Sequence, residues 1–135
     1  MPKILIVDDD PQVRSLLTER FQKAGFEAFS AENGRQGMKM LSTSLPDVVI
    51  TDLIMPEQEG IETIMQLRRD YPQIKIIAIS GGIRGGTVNF LSAARELGAS
   101  KVYKKPFQFQ ELLAGVHELL GTTPAPRSDS EKPSE

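Results

Sequence analysis

Three aspartates, a serine and a lysine stand at the ends of four apolar runs. Ile4-Leu5-Ile6-Val7 runs into Asp8-Asp9, and Val48-Val49-Ile50-Thr51 runs into Asp52. Ile76-Ile77-Ala78-Ile79 runs into Ser80, and Val102-Tyr103-Lys104 runs into Lys105-Pro106. In an open parallel sheet, ligands bind beyond the carboxyl ends of the strands. If these runs are parallel strands, three carboxylates, one hydroxyl and one ammonium converge at one edge. Such a set can hold a divalent metal and a phosphoryl group.

Two carboxylates about 4 Å apart repel by roughly 4 kcal/mol at an effective dielectric of about 20. A third carboxylate adds to this, and protonation or a bound cation relieves it. Hard oxygen ligands with no His or Cys beside them favour magnesium, with manganese able to take its place. Asp10 is set apart by Pro11 behind it, which reads as a helix N-cap followed by proline at the first helical position. A lone aspartate after a strand is often a turn residue. Asp52, however, is the only acid between Val48 and Pro56. A desolvated carboxylate beside a metal can act as a nucleophile and form an aspartyl-phosphate. That chemistry needs further donors around the phosphoryl oxygens. Ser80 can supply a hydroxyl and Lys105 a point charge.

The elements that must position these groups alternate strand and helix five times. Strands are expected at 3–7, 26–30, 47–51, 74–79 and 100–103. The first, third and fourth are almost continuously apolar, as strands covered on both faces are. Val13, Leu16, Leu17, Phe21 and Ala24 follow helical spacing, with Arg14, Glu19 and Lys23 on the other side, and Gly25 stops that helix. Further helices are expected at about 34–43, 60–69 (with Ile61, Ile64, Met65 and Leu67 apolar), 87–97 and 109–120. Gly98 and Gly121 follow the last two. The alternation implies βαβ units with right-handed crossovers.

The chain has 135 residues, a length that fits one domain with a real core. Net charge is −2 with mixed signs, and no basic patch carries interleaved aromatics, which argues against nucleic acid as a direct partner. There is no cysteine, which excludes disulfides and thiolate chemistry. No stretch approaches the roughly 18 apolar residues of a membrane span. The first strand begins at once, leaving no room for a signal peptide, so a cytoplasmic location is expected. From Thr122 to Glu135 there are three prolines, three serines, five charges and Ala125 as the one apolar residue. A tail over 122–135 of that composition is expected to be disordered.

Taken in order, Ile6-Val7-Asp8-Asp9, Thr51-Asp52-Leu53-Ile54-Met55-Pro56 with Gly60, Ile79-Ser80 and Lys105-Pro106-Phe107 resemble the response-regulator receiver domain of bacterial two-component signalling. The resemblance covers residues 1–121. It implies a doubly wound, flavodoxin-like (βα)5 fold with a five-stranded parallel sheet in the order 2-1-3-4-5. It also implies a signalling switch, not an enzyme as such. A sensor histidine kinase or phosphotransfer protein would phosphorylate Asp52, and an unknown protein target would read the change. Asp9, Asp52 and the backbone carbonyl of Ile54 would bind magnesium directly, and Asp8 mainly through water. Ser80 and Lys105 would hold the phosphoryl group. A cis peptide is implied between Lys105 and Pro106.

The chain departs from the family in two places. Val102 stands where the family usually carries an aromatic residue whose rotation reports phosphorylation, and Tyr103 beside it should face the other way. Gly81-Gly82-Ile83-Arg84-Gly85-Gly86-Thr87 is longer and richer in glycine than is usual, and reads as a flexible loop. It is no Walker loop, because Thr87 stands where lysine is needed. His117, inside the last helix, reads as a surface or boundary residue. Two other functions fit parts of the pattern. Asp8-x-Asp10 with Ser80 and Lys105 matches a haloacid-dehalogenase-type phosphatase with Asp8 as nucleophile. A receiver-like binding module that works without phosphorylation is the other.

Overall fold

The computed structural model describes residues 2–53, 59–80, 95–96 and 98–122. The described strands are β1 (Lys3–Val7), β2 (Glu27–Ala31), β3 (Val48–Asp52), β4 (Lys75–Ser80) and β5 (Lys101–Lys104). The described helices are α1 (Pro11–Lys23), α2 (Gly34–Met40), α3 (Glu59–Asp70) and α4 (Phe109–Leu120). All five strands are parallel, in the order β2-β1-β3-β4-β5. The doubly wound order expected from the family motifs is therefore the observed one. The expected 87–97 helix lies outside the described residues except for Arg95 and Glu96, which are helical. The 81–87 connection lies outside them altogether.

Alternation along the strands divides the core in two. Leu5, Val7, Val49, Ile76 and Ala78 face one side and pack with Leu41, Ile64 and Leu67. Ile4, Ile6, Val48, Ile50, Ile77 and Ile79 face the other and pack with Leu17, Phe21, Leu112 and Val116. Helices therefore cover both faces, which is why β1, β3 and β4 are almost continuously apolar. Phe21 is fully buried and meets Phe109 edge-on at 4.8 Å and Phe26 at 5.7 Å. Burial of this ring alone is worth about 1.5–3 kcal/mol.

Sequence periodicity overstated two helix faces. Leu16 is 51% exposed and Met65 is 50% exposed. Each sits about 100° around its helix from a buried neighbour, Leu17 or Ile64, and turns out of the narrow buried stripe. α2 is also shorter than expected. The hydroxyls of Ser42 and Thr43 donate to the carbonyls of Lys39 (2.8 Å) and Met40 (3.1 Å), and the chain leaves the helix in a turn there. Strands β2 to β5 each begin and end one residue later than expected. Asp52 and Ser80 are thus the last residues of their strands, in register with Ile79 and Lys104, and do not stand beyond them.

At α4 the helix closes over a tyrosine. A Cβ at Gly115 would collide with the Tyr103 hydroxyl and lie 3.2 Å from Lys101 Cδ. Glycine there lets Tyr103 lie against the helix, while Val102 packs on the opposite face of the sheet. The opposed directions expected for these two residues are observed.

Candidate functional site

The sheet reverses direction at β1: the chain proceeds to β2 on one side and to β3 on the other. At such a switch point the two flanking helices diverge and leave a crevice at the carboxyl ends of the strands. β1 delivers Asp8 into it, β3 delivers Asp52 and β4 delivers Ser80. Lys105 follows β5 and is anchored by its amide, which donates to the Ser80 carbonyl at 2.8 Å. The Lys105–Pro106 bond is cis, as the resemblance implied.

Asp8, Asp9 and Asp52 come together so that one carboxylate oxygen from each lies within 4.8 Å of the others. Asp8 is 2% exposed and Asp52 5%, whereas Asp9 is exposed. Lys105 Nζ donates to Asp8 Oδ2 at 3.3 Å and to Asp52 Oδ2 at 3.4 Å. Both contacts are longer than the 2.7–2.9 Å typical of charge-assisted bonds. The ammonium spans the pair and is not seated tightly on either. Burial is the largest influence on Asp8 and raises its pKa. The Asp10 amide and Lys105 pull the other way without cancelling it. Burial by itself lowers Lys105, but Asp52 and Asp8 together outweigh it and raise the lysine. Among the described residues Lys105 is the one cation paired with the carboxylates of this three-acid cluster, which leaves excess negative charge in a partly desolvated crevice.

Ser80 completes the set. Its side chain is fully buried, and among the described residues its Oγ has no hydrogen-bond partner. A buried hydroxyl without a partner is uncommon and asks for a ligand. The hard-oxygen donor set and the orphaned hydroxyl together fit a magnesium ion with a phosphoryl group.

Asp10 does not join the cluster. Its Oδ1 accepts the Gln12 amide at 2.9 Å as the N-cap of α1, leaving the Asp8-x-Asp10 pair without its second member in the pocket. Ile54 lies outside the described residues. His117 is a boundary residue, as expected: its ring lies 5.3 Å from that of Phe26, and Nδ1 is 2.7 Å from Thr122 Oγ1. Sequence reasoning missed Arg14 and placed it on the outer face of α1. The structure turns it inward, with Nη1 donating to the Asp8 carbonyl at 2.8 Å. Its place one turn inside the helix was the available signal, because helical side chains lean over the preceding turn.

Fold and site define a doubly wound α/β protein with an acidic pocket at its switch point. The family model for the response regulator receiver domain matches residues 4–117. Sporulation initiation phosphotransferase F of Bacillus subtilis is 34% identical over 118 residues, covering 87% of this chain and 93% of that protein. The transcriptional regulatory protein CpxR of Escherichia coli is 36% identical over 120 residues. That match takes in 89% of this chain but only 50% of CpxR, so the chain spans half the length of that relative. Among solved structures, response regulator TrrA of Thermotoga maritima, in complex with Mg(2+)-BeF, is 34% identical with a TM-score of 0.75. It is matched over 88% of this chain and 99% of its own. A receiver domain from Clostridium thermocellum, at 24% identity, shares the fold with a TM-score of 0.81. The chain belongs to the response regulator receiver domain family. Its cluster of Asp8, Asp9 and Asp52 fits the magnesium and phosphoaspartate pocket of a phosphorylation-dependent switch. No described helix is long and apolar enough to cross a membrane.

Proposed function

We propose that this domain takes a phosphoryl group onto Asp52 from a sensor histidine kinase or phosphotransfer protein, and passes the signal to a downstream protein. The observation that carries the reading is the convergence of a buried Asp52 with Asp8, Asp9 and the spanning Lys105 ammonium. Asp8, Asp9, Asp52 and the Ile54 carbonyl would hold Mg2+, or Mn2+ in its place. The cation supplies neutralisation of charge on the phosphoryl oxygens when bound.

A carboxylate oxygen of Asp52 forms the new bond to phosphorus while the bond from phosphorus to the donor's imidazole nitrogen breaks. The nitrogen leaves with the electron pair, and because the donor reacts with its other ring nitrogen already protonated, the ring departs as neutral imidazole. Lys105 and Ser80 donate to the phosphoryl oxygens as charge on them is redistributed. Catalysis of this kind is positioning and electrostatics, so the domain can promote its own phosphorylation, and the hydrolysis that ends it, without being an enzyme acting on a separate substrate. The receiver unit is assigned to residues 1–121, with 122–135 as a polar tail, and the protein to the cytoplasm.

Incubation with a small acyl phosphate and Mg2+, followed by mapping of the labelled residue, tests the reading. Label at Asp52 that is lost in Asp52→Asn supports it. Label at Asp8 would instead indicate a phosphatase of the Asp8-nucleophile type. Absence of label from a folded, magnesium-binding protein would indicate a binding module independent of phosphorylation. Ser80 leads directly into the segment 81–90, and Val102 lacks the usual reporting ring. Hydrogen exchange with and without beryllofluoride is therefore expected to change most across 81–90. A change confined to α1 would reject that route.

A further inference from the structure

Resting on the reading that the acidic cluster binds a divalent cation, we propose that Arg14 is a positioning residue for the metal site: it fixes the Asp8–Asp9 peptide and thereby aims the Asp9 carboxylate. Arg14 lies one turn into α1, behind the Asp10 N-cap and Pro11. Its side chain leans back over the β1–α1 turn, as helical side chains do. Nη1 donates to the Asp8 carbonyl oxygen at 2.8 Å, within the short range of charge-assisted bonds.

The three acids of the site are held unequally. The Asp8 amide donates to the Ala31 carbonyl at 3.2 Å, and Asp8 Oδ1 accepts the Asp10 amide at 2.9 Å. Asp52 is fixed by strand pairing, opposite Ile79. Asp9 stands two residues beyond the end of β1 and is exposed, and among the described residues its carboxylate accepts no hydrogen bond. The handle on it is the peptide that precedes it. A trans peptide is planar, with the carbonyl of one residue and the N–H of the next pointing to opposite sides. Fixing the Asp8 carbonyl therefore fixes the Asp9 amide and the direction in which its Cα leaves the plane.

Arg14 does this without occupying the carboxylates. Among the described residues it forms no salt bridge, in contrast to Lys105, which bonds Asp8 and Asp52 directly. Its charge by itself would repel a cation. Orientation and charge thus act on metal affinity with opposite signs, and removing Arg14 reveals which dominates. Arg14→Met keeps length and helix propensity but has no donor. Arg14→Gln keeps an N–H donor and lacks the charge.

Mg2+ titration of the intact chain by calorimetry, paired with amide spectra of the metal-free protein, is the test. The proposal expects Arg14→Met to weaken Mg2+ binding by about tenfold, the scale on which supporting residues around metal ligands act. The Asp9 amide resonance should shift or broaden, while the β1 amides stay in place. Arg14→Gln should bind Mg2+ at least as well as Arg14→Met, and better wherever its donor reaches the carbonyl. Should Arg14→Met fail to give a folded spectrum, Arg14→Ala, equally suited to a helix, takes its place with the same expectation. Mg2+ binding by Arg14→Met as tight as wild type, or tighter, overturns the proposal and leaves the metal site standing. Lack of Mg2+ binding by wild type overturns both.

Discussion

At the amino edge of the sheet, the Lys3 amide donates to Asp47 Oδ2 at 2.8 Å and Lys3 Nζ donates to Ser44 Oγ at 2.9 Å. Arg68 donates to the carbonyls of Pro72, Ile74 and Gly98, tying the end of α3 to the entries of β4 and β5. At the carboxyl edge, Asp8 and Asp52 share one lysine at 3.3 and 3.4 Å with Asp9 beside them, and Ser80 Oγ is buried with no partner among the described residues. The same residue types serve opposite ends. Partly exposed side chains at the amino edge bond to one another and to carbonyls and close the fold, with Arg68 Nε left over as one buried atom that has no partner among the described residues. Buried ones at the carboxyl edge are held apart from full satisfaction, and that unmet demand can be released onto a ligand. The contrast predicts that substitutions at the two edges move different observables.

The largest separation should come from the acids. Asp9→Asn is expected to weaken Mg2+ binding by at least about tenfold, since loss of a ligand should exceed loss of a residue that merely supports one. Because Asp9 is exposed, stability without metal should stay within about 0.5 kcal/mol of wild type. Asp47→Ala should do the reverse, lowering stability by about 1 kcal/mol through the lost bond to Lys3 and leaving Mg2+ affinity unchanged. Mg2+ titration and denaturant unfolding of both variants check this. Parallel losses in both observables would erase the distinction between the edges.

A smaller effect is expected with pH. Stability follows the difference in protons bound by the unfolded and folded chains. Asp8 has its pKa raised above 3.8 by burial, so the fold keeps a proton that the unfolded chain has released. Stability of the metal-free protein should therefore fall as pH rises from about that value through the raised one. Lys105 acts at the other end. Its raised pKa contributes stability that is complete below 10.5 and is lost as pH climbs through the raised value. Asp8→Asn should flatten the acid limb and make the metal-free protein more stable at neutral pH, by about 1 kcal/mol once the weakened hold on Lys105 is subtracted. Thermal unfolding across pH in a metal-chelating buffer measures it. An acid limb unchanged in Asp8→Asn would assign the dependence to other groups.

The two edges also differ in how far the sequence discloses them. Asp8, Asp52, Ser80 and Lys105 were visible because each ends an apolar run, and a parallel sheet brings such ends together. Apolar runs show where a strand lies more sharply than where it stops, hence the one-residue shift in four strands. Leu16 and Met65 were placed inside because period alone does not say how wide a helix's buried stripe is. Ser42 and Thr43 ended α2 early through hydroxyl bonds that compete with the helix and carry no hydrophobic signal. Lys3 with Asp47 and Tyr103 with Gly115 were not legible at all, and Arg14 with the Asp8 carbonyl only through its place one turn inside the helix. Each joins residues distant in the chain, or a side chain to a backbone oxygen, and only the packed fold brings them together.

The smallest expected effect is also the sharpest form of the comparison, because it matches one residue type at both edges. Ser44 Oγ accepts from Lys3 in a part-buried setting, so Ser44→Ala should lower stability by about 0.5 kcal/mol, the low end for a hydrogen bond. It should not alter the response to Mg2+ and beryllofluoride. Ser80 Oγ is fully buried without a partner among the described residues, so its hydroxyl has been desolvated without return. Replacing such a group with a methyl removes that penalty and costs little packing, because only one atom is lost. Ser80→Ala should leave the metal-free protein as stable as wild type or slightly more so. With Mg2+ and beryllofluoride present the sign should reverse, since the variant cannot donate to the bound group, and its gain in melting temperature should fall short of the wild-type gain. Paired melting curves of the two variants, with and without the two ions, read both halves. A destabilised metal-free Ser80→Ala would mean that its hydroxyl already supports the fold, and the carboxyl edge would then resemble the amino edge at this residue.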